Sequence, residues 1–232
     1  MAINIKSIKE SVSGQGVKAL VYSSSGAGKT VLCATSGMPT LILSAEAGLL
    51  SIQDAPDYIH VVEVKTIEGI REVYNHLAAG TDYKMICIDS LSEIAEVILA
   101  YEKSITKDPR QAYGALIDEM GDLIRAFRDL PNYHVLMTAK VERIKDEANG
   151  TLLYVPSMPG SKVAQQLPYW FDLVLAYRVD KDPDGNVTRW LQTQRDGSYE
   201  AKDRSGKLEA FEAPNMAEII SKVMGNIAQK AA

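Results

Sequence analysis

Cysteine, long apolar runs and an excess of positive charge are what this 232-residue chain has least of. Its two cysteines, Cys33 and Cys87, each sit inside an apolar run with no paired, metal-type spacing. That argues against a disulfide framework or a cysteine-bound zinc, and both are expected to be small buried hydrophobes in a reducing compartment. No apolar run approaches the ~18 residues of a membrane span, and the opening MAINIKSIKE lacks the core of a signal peptide. The expected location is the cytoplasm, with no membrane partner. The formal net charge is -5, so any nucleic-acid contact must come from a local basic patch. Internal repeats and low-complexity segments are absent as well.

What is present is an ordinary globular composition, 46% hydrophobic and 24% charged. Residues 1–16 read as a polar arm, and 17–232 as one domain. Val17 to Tyr22, Leu41 to Leu43, Ile59 to Val64, Met85 to Ile88 and His134 to Thr138 are short apolar runs of strand type. Between them lie helical stretches, about Thr66–Ala79, Leu91–Ser104 and Gln111–Leu130, the first with Thr66 as N-cap and Gly80 as C-cap. Strands alternating with amphipathic helices predict an α/β fold, a mostly parallel sheet flanked by helices. After Lys140 the pattern turns to hairpins. VERIKDE and TLLYV flank Asn149-Gly150, and Phe171–Val179 and Val187–Gln192 flank Asp182-Pro183-Asp184-Gly185-Asn186. Short helices are expected near Lys162–Leu167 and over Pro214–Gln229.

The run Ser23-Ser24-Ser25-Gly26-Ala27-Gly28-Lys29-Thr30 joins the first strand to a helix. In that context it is a phosphate-binding loop. Its backbone N–H groups, at Ser24 to Thr30, turn onto phosphate oxygens at a helix N-terminus. Lys29 reaches the β- and γ-phosphates, and the Thr30 hydroxyl takes a position on Mg²⁺. The expected ligands are therefore ATP and Mg²⁺. Ser23 stands where the pattern G-x-x-x-x-G-K-[ST] has its first glycine.

Two carboxylates stand at strand ends. Asp89 closes Met85 to Ile88 and either holds a Mg²⁺-bound water or, with Ser90, caps the next helix. Glu46 follows Leu41 to Ala45 and is either a base that orients the attacking water or a solvated loop glutamate.

The order of these pieces resembles the RecA recombinase core. Ser23–Thr30 matches its phosphate loop, Leu43-Ser44-Ala45-Glu46-Ala47 the segment of its catalytic glutamate, and Ile88-Asp89-Ser90-Leu91 its Walker B strand. The likeness runs from about Val17 to Arg195. The whole is similar to the short, single-domain RecA-like ATPases of bacteriophages, some of which act in recombination by single-strand annealing, and Tyr199 to Arg204 also looks like that group. The resemblance implies a RecA-like P-loop fold with a C-terminal β-hairpin extension. It makes Glu46 the catalytic base and Asp89 with Thr30 the metal pair. Lys140 stands where RecA has a γ-phosphate-sensing glutamine, and can contact phosphate itself. Gln53 stands where RecA has the aromatic that stacks on adenine.

The resemblance also implies partners. In RecA-like proteins the loop after the fifth strand enters a channel and holds single-stranded DNA. Here it carries Lys140, Arg143 and Lys145, with Tyr154 across the turn and Lys162 beyond. Glu142, Asp146 and Glu147 nearly balance it, so a solvated hairpin is the alternative. Lys103, Lys107 and Arg110 match the second channel loop. No arginine of the phosphate-site motifs themselves stands near the loop. Arg195 falls near a lysine with which RecA reaches the neighbouring subunit's ATP, and is either a finger acting in trans or a surface arginine. A homo-oligomer, filament or ring, is thus expected, with residues 1–16 as the linking arm through Ile3, Ile5 and Ile8, and a single-strand binding protein as a further partner. The function implied is an ATPase acting on single-stranded DNA in phage recombination or replication. The alternatives are an ATP-binding assembly or regulatory protein with little turnover, and a small-molecule kinase.

Overall fold

The structure is a computed structural model that describes residues 5–12, 14–46, 48–145, 150–159 and 161–225, with the backbone alone for residues 9, 11, 161 and 162. Ile3, Ala47, the turn residues Asp146, Glu147 and Asn149, the Lys162 side chain and the end of the closing helix lie outside the described residues.

A short helix α1 (Ile8–Val12) precedes β1 (Lys18–Ser23), α2 (Lys29–Cys33), β2 (Thr40–Ser44), β3 (Ile59–Glu63), α3 (Ile67–Ala78) and β4 (Met85–Asp89). Then come α4 (Leu91–Ile105), α5 (Pro109–Arg128), β5 (His134–Lys145), β6 (Leu152–Ser157) and α6 (Ser161–Trp170). The chain closes through β7 (Leu173–Lys181), β8 (Val187–Gln192), β9 (Lys202–Asp203), β10 (Phe211–Glu212) and α7 (Met216–Met224).

All strands join one sheet of order β10-β8-β7-β1-β5-β4-β2-β3, with β6 on β5 and β9 on β7. From β7 to β3 every neighbour is parallel. Such strands are covered on both faces, which is why β1, β2 and β4 are buried at every position and read as unbroken apolar runs. Alternate residues feed two cores. Leu20, Tyr22, Leu43, Ile86 and Ile88 face α3, α4, α5 and α6. Val21, Ile42, Cys87 and Leu175 face α2 and α7. Cys33 and Cys87 are free, buried thiols in that second core, as expected.

Local chemistry sets the helix ends. The Thr66 hydroxyl accepts from the Gly69 N–H at 3.1 Å, and Gly80 ends α3 at φ 94°. Ser90 caps α4 by accepting from the Glu93 N–H. The last carbonyls of α6 are taken by basic side chains: Lys202 donates to Pro168, Arg204 to Tyr169 and Arg128 to Trp170. Lys202 and Arg204 thereby give the segment from Tyr199 to Arg204 a structural role.

The hairpin expected after Lys140 is present, and the structure adds how it is attached: β5 continues unbroken from its parallel half to Lys145, where it pairs antiparallel with β6. β7 is not wholly an extension, because Ala19 to Tyr22 pair in parallel with Leu173 to Ala176; only its far half leaves to pair with β8. Residues 8–12 of the arm are helical, with Ile5 89% and Ile8 82% exposed.

Candidate functional site

The loop from Ser23 to Thr30 lies at the C-terminal edge of β1 and opens α2. Gly28 has φ 115°, and a Cβ there would stand 2.9 Å from the Tyr177 hydroxyl. Glycine is required on both counts. Ser23 fills the first-glycine position without positive φ. Its hydroxyl donates to the Ser24 carbonyl at 3.1 Å and accepts from Lys29 Nζ at 3.3 Å. Lys29 Nζ also donates to the Ser23 and Ser24 carbonyls, both at 3.2 Å. The ammonium is thus folded onto its own loop. Burial lowers its pKa, against the pull of Glu46 and Asp89.

Asp89 is the centre of the site and only 2% exposed. Its strand β4 does not neighbour β1, because β5 runs between them. The gap is bridged by hydroxyls: Thr30 donates to one Asp89 oxygen at 2.6 Å and Thr138, on β5, to the other at 2.5 Å. With Ser90 taking the helix cap, Asp89 is left for Thr30. One carboxylate flanked by two hydroxyls is a set of hard oxygen donors that suits Mg²⁺, an ion usually held by one or two carboxylates plus water and phosphate. No cluster of three acidic, histidine or cysteine ligands occurs among the described residues.

Glu46 follows β2, which pairs with β4 so that Ser44 lies beside Asp89. The Ser44 hydroxyl donates to the Glu46 carbonyl at 2.6 Å, and the Ser90 hydroxyl to Glu46 Oε1 at 2.7 Å. Lys140 stands opposite Ser23 in the β1–β5 register. Its N–H donates to Ser92 Oγ at 3.0 Å and its ammonium pairs with Glu93, which raises its pKa. Glu46 and Lys140 both line a cleft of about 810 Å³ over the loop, together with Lys29 and Thr30.

The remaining candidates stand apart. Arg195 is exposed, pairs with Glu200 at 3.4 Å and does not line that cleft. Arg143 and Lys145 are exposed on the far half of β5. Tyr154 faces Arg143 across the hairpin, with the guanidinium 5.8 Å from its ring centroid. The Tyr154 ring is stacked on Tyr199 at 4.5 Å and 9°. Lys103, Lys107 and Arg110 are exposed around the α4–α5 turn, with Lys103 over the Tyr113 ring.

Three residues, Thr138, Tyr177 and Arg189, and the bond from Ser90 to Glu46 are additions to the sequence reading. Thr138 and Ser90 hold the two carboxylates. Tyr177 abuts Gly28, and Arg189 Nε donates to the Ala27 carbonyl at 3.2 Å. The chain therefore does set an arginine of its own beside the loop. A strand-to-helix phosphate loop at the edge of a parallel sheet, a carboxylate against its threonine and a second carboxylate beside it define the P-loop nucleoside triphosphatase class. In agreement, a family model described as an AAA domain matches residues 15–205, and the chain belongs to that family of nucleotide-binding, ATPase-type domains. None of the curated proteins matches the chain. Among the described residues no helix is long and apolar enough to cross a membrane.

Proposed function

We propose that the protein hydrolyses ATP with Mg²⁺ by a RecA-like arrangement and acts on single-stranded DNA in phage recombination or replication. The contact that carries the enzymatic reading is Thr30 to Asp89 at 2.6 Å, with Glu46 held next door by Ser90. Thr30 and Asp89 would hold Mg²⁺, which would supply neutralisation of phosphate charge. Lys29 leaves its loop carbonyls for those phosphates. Glu46 takes a proton from a water whose oxygen attacks the γ-phosphorus, the bond to the bridging oxygen breaks, and ADP and phosphate leave. Arg195, free of its own cleft, acts on the nucleotide of the next subunit in a homo-oligomer.

The DNA reading is supported by the continuation of β5. It leaves the nucleotide edge at Lys140 and presents Arg143 and Lys145. A specific observation also favours the rival, an assembly module with little turnover: the Tyr154 ring already lies against Tyr199 rather than open for a base. The test is ATP hydrolysis with and without single-stranded DNA. Stimulation supports the first reading, whereas slow, DNA-indifferent turnover would replace it with the second.

A further inference from the structure

The cleft has two ends, and the reaction groups occupy one. Asp89, Glu46 and Lys140 come from β4, the end of β2 and β5, all on one side of β1. On the other side are β7 and β8, and their contribution is Tyr177 and Arg189, which also line the cleft. Val179 is paired with Arg189 and Tyr177 with Leu191, so with a period of two all four share one face of the hairpin, the face toward α2. Tyr177 reaches Gly28 and Arg189 reaches the Ala27 carbonyl.

That carbonyl is informative. A phosphate loop binds phosphate through its N–H groups. Arg189 sits against a C=O of the loop, so it lies off the phosphate path. The ion pairs found among the described residues do not include Arg189, so its charge is not neutralised by a carboxylate. A triphosphate whose γ end lies against Glu46 and Lys140 must send its other end toward this hairpin. About 810 Å³ is ample for more than a triphosphate, within the usual range of small-molecule clefts.

We propose that Arg189 and Tyr177 form the nucleoside wall of the cleft, the guanidinium lying along the base and the tyrosine closing the side against the loop. A guanidinium plane stacks well on a flat π-system. This assigns the base contact that Gln53, at the place of RecA's stacking aromatic, does not supply. It rests on the reading of the cleft as the ATP site.

The test compares two ligands, ATP and inorganic tripolyphosphate, each with Mg²⁺, on the full chain and on Arg189→Ala, Arg189→Lys and Lys29→Ala. Arg189 is exposed, so its variants should fold, and thermal melting checks that they do. Arg189→Ala should weaken ATP about tenfold, the scale of a lost cation–π contact, and leave tripolyphosphate within about twofold, while Arg189→Lys should recover part of the loss. Equal loss for both ligands would make Arg189 a phosphate cation and overturn the proposal, and so would no loss for either. Loss of both ligands in Lys29→Ala keeps the phosphate site standing whatever Arg189 does. If the parent chain binds neither ligand, the ATP reading and this proposal fall together.

Discussion

The two flanks of the phosphate loop are built differently. The β5–β4–β2 flank carries Asp89 and Glu46 at or just past strand ends, tied by short hydroxyl bonds from Thr30, Thr138 and Ser90, and Lys140 midway along β5, paired with Glu93. The β7–β8 flank carries side chains from inside a hairpin, Tyr177 and Arg189, each touching the loop itself. The first flank holds charge against charge over an oxygen-rich floor, as bond breaking at phosphorus requires. The second offers flat and cationic surface, as holding a ligand requires. On the proposed reading, chemistry and binding are separable by mutation, and the variants below strike that division from hardest to lightest.

Lys29 opens α2 between the flanks, and on the proposed reading both phosphate binding and phosphoryl transfer use its charge. Lys29→Ala should abolish ATP binding or turnover, read by titration with labelled ATP and by phosphate release. A variant hydrolysing at the parental rate would remove the site from this cleft. Glu46→Gln strikes the first flank alone. It should bind ATP as before and lose about 10²–10⁴ in rate, the usual contribution of a general base. If binding fails instead, Glu46 is a structural prop for Ser90 and the division is broken.

The flanks differed in legibility for a physical reason. Asp89 and Glu46 could be placed from the sequence because each follows an apolar run, and the C-terminal ends of parallel strands meet at one edge. The intervening strand was not legible: β5 separates β1 from β4, so Thr30 meets Asp89 across it while Thr138, on β5 itself, takes the other carboxylate oxygen. Nothing near Arg189 marks it: Thr188-Arg189-Trp190 reads as an exposed strand segment. Only the register of β7 with β8, and the placing of β7 directly beside β1, brings it to Ala27. In the arm the residues say less: so short a run carries little tertiary information, and a helical turn forms at Ile8–Val12.

Gly28 is where the flanks meet. Gly28→Ala adds a Cβ at φ 115° and 2.9 Å from the Tyr177 hydroxyl. The loss should be about 1–3 kcal/mol, from left-handed strain and the clash together. Adding Tyr177→Phe should return only the clash part. Denaturant melts of the single and double variants measure this, and full recovery in the double variant would mean the backbone at Gly28 relaxes freely.

The smallest effect should strike neither flank but the frame under both. His134 opens β5, the strand that carries Thr138 and Lys140, and its Nδ1 accepts the Val17 N–H at 3.0 Å, pinning the start of β5 to the start of β1. Burial, with repulsion from Lys18, lowers the His134 pKa to about 4. The unfolded chain therefore takes up the proton first. Between pH 6.5 and about 4 unfolding binds more protons than folding, so stability falls as pH falls, and above pH 6.5 the contribution is complete. The effect should be on the order of 1–2 kcal/mol, after allowance for partial exposure, or several degrees in Tm. Carboxylates titrate in the same range, so the informative quantity is the difference from His134→Asn, whose Oδ1 can accept the same N–H without titrating. The variant should lose less stability between pH 6.5 and 4 than the parent. In the folded fraction the ratio of ATP binding to turnover should not move, because the pin serves both flanks alike. Parallel melting profiles for the two proteins would show that His134 is not the group that titrates. A shift in turnover without a shift in stability would mean that β5 transmits its strain to Thr138 and Asp89 alone.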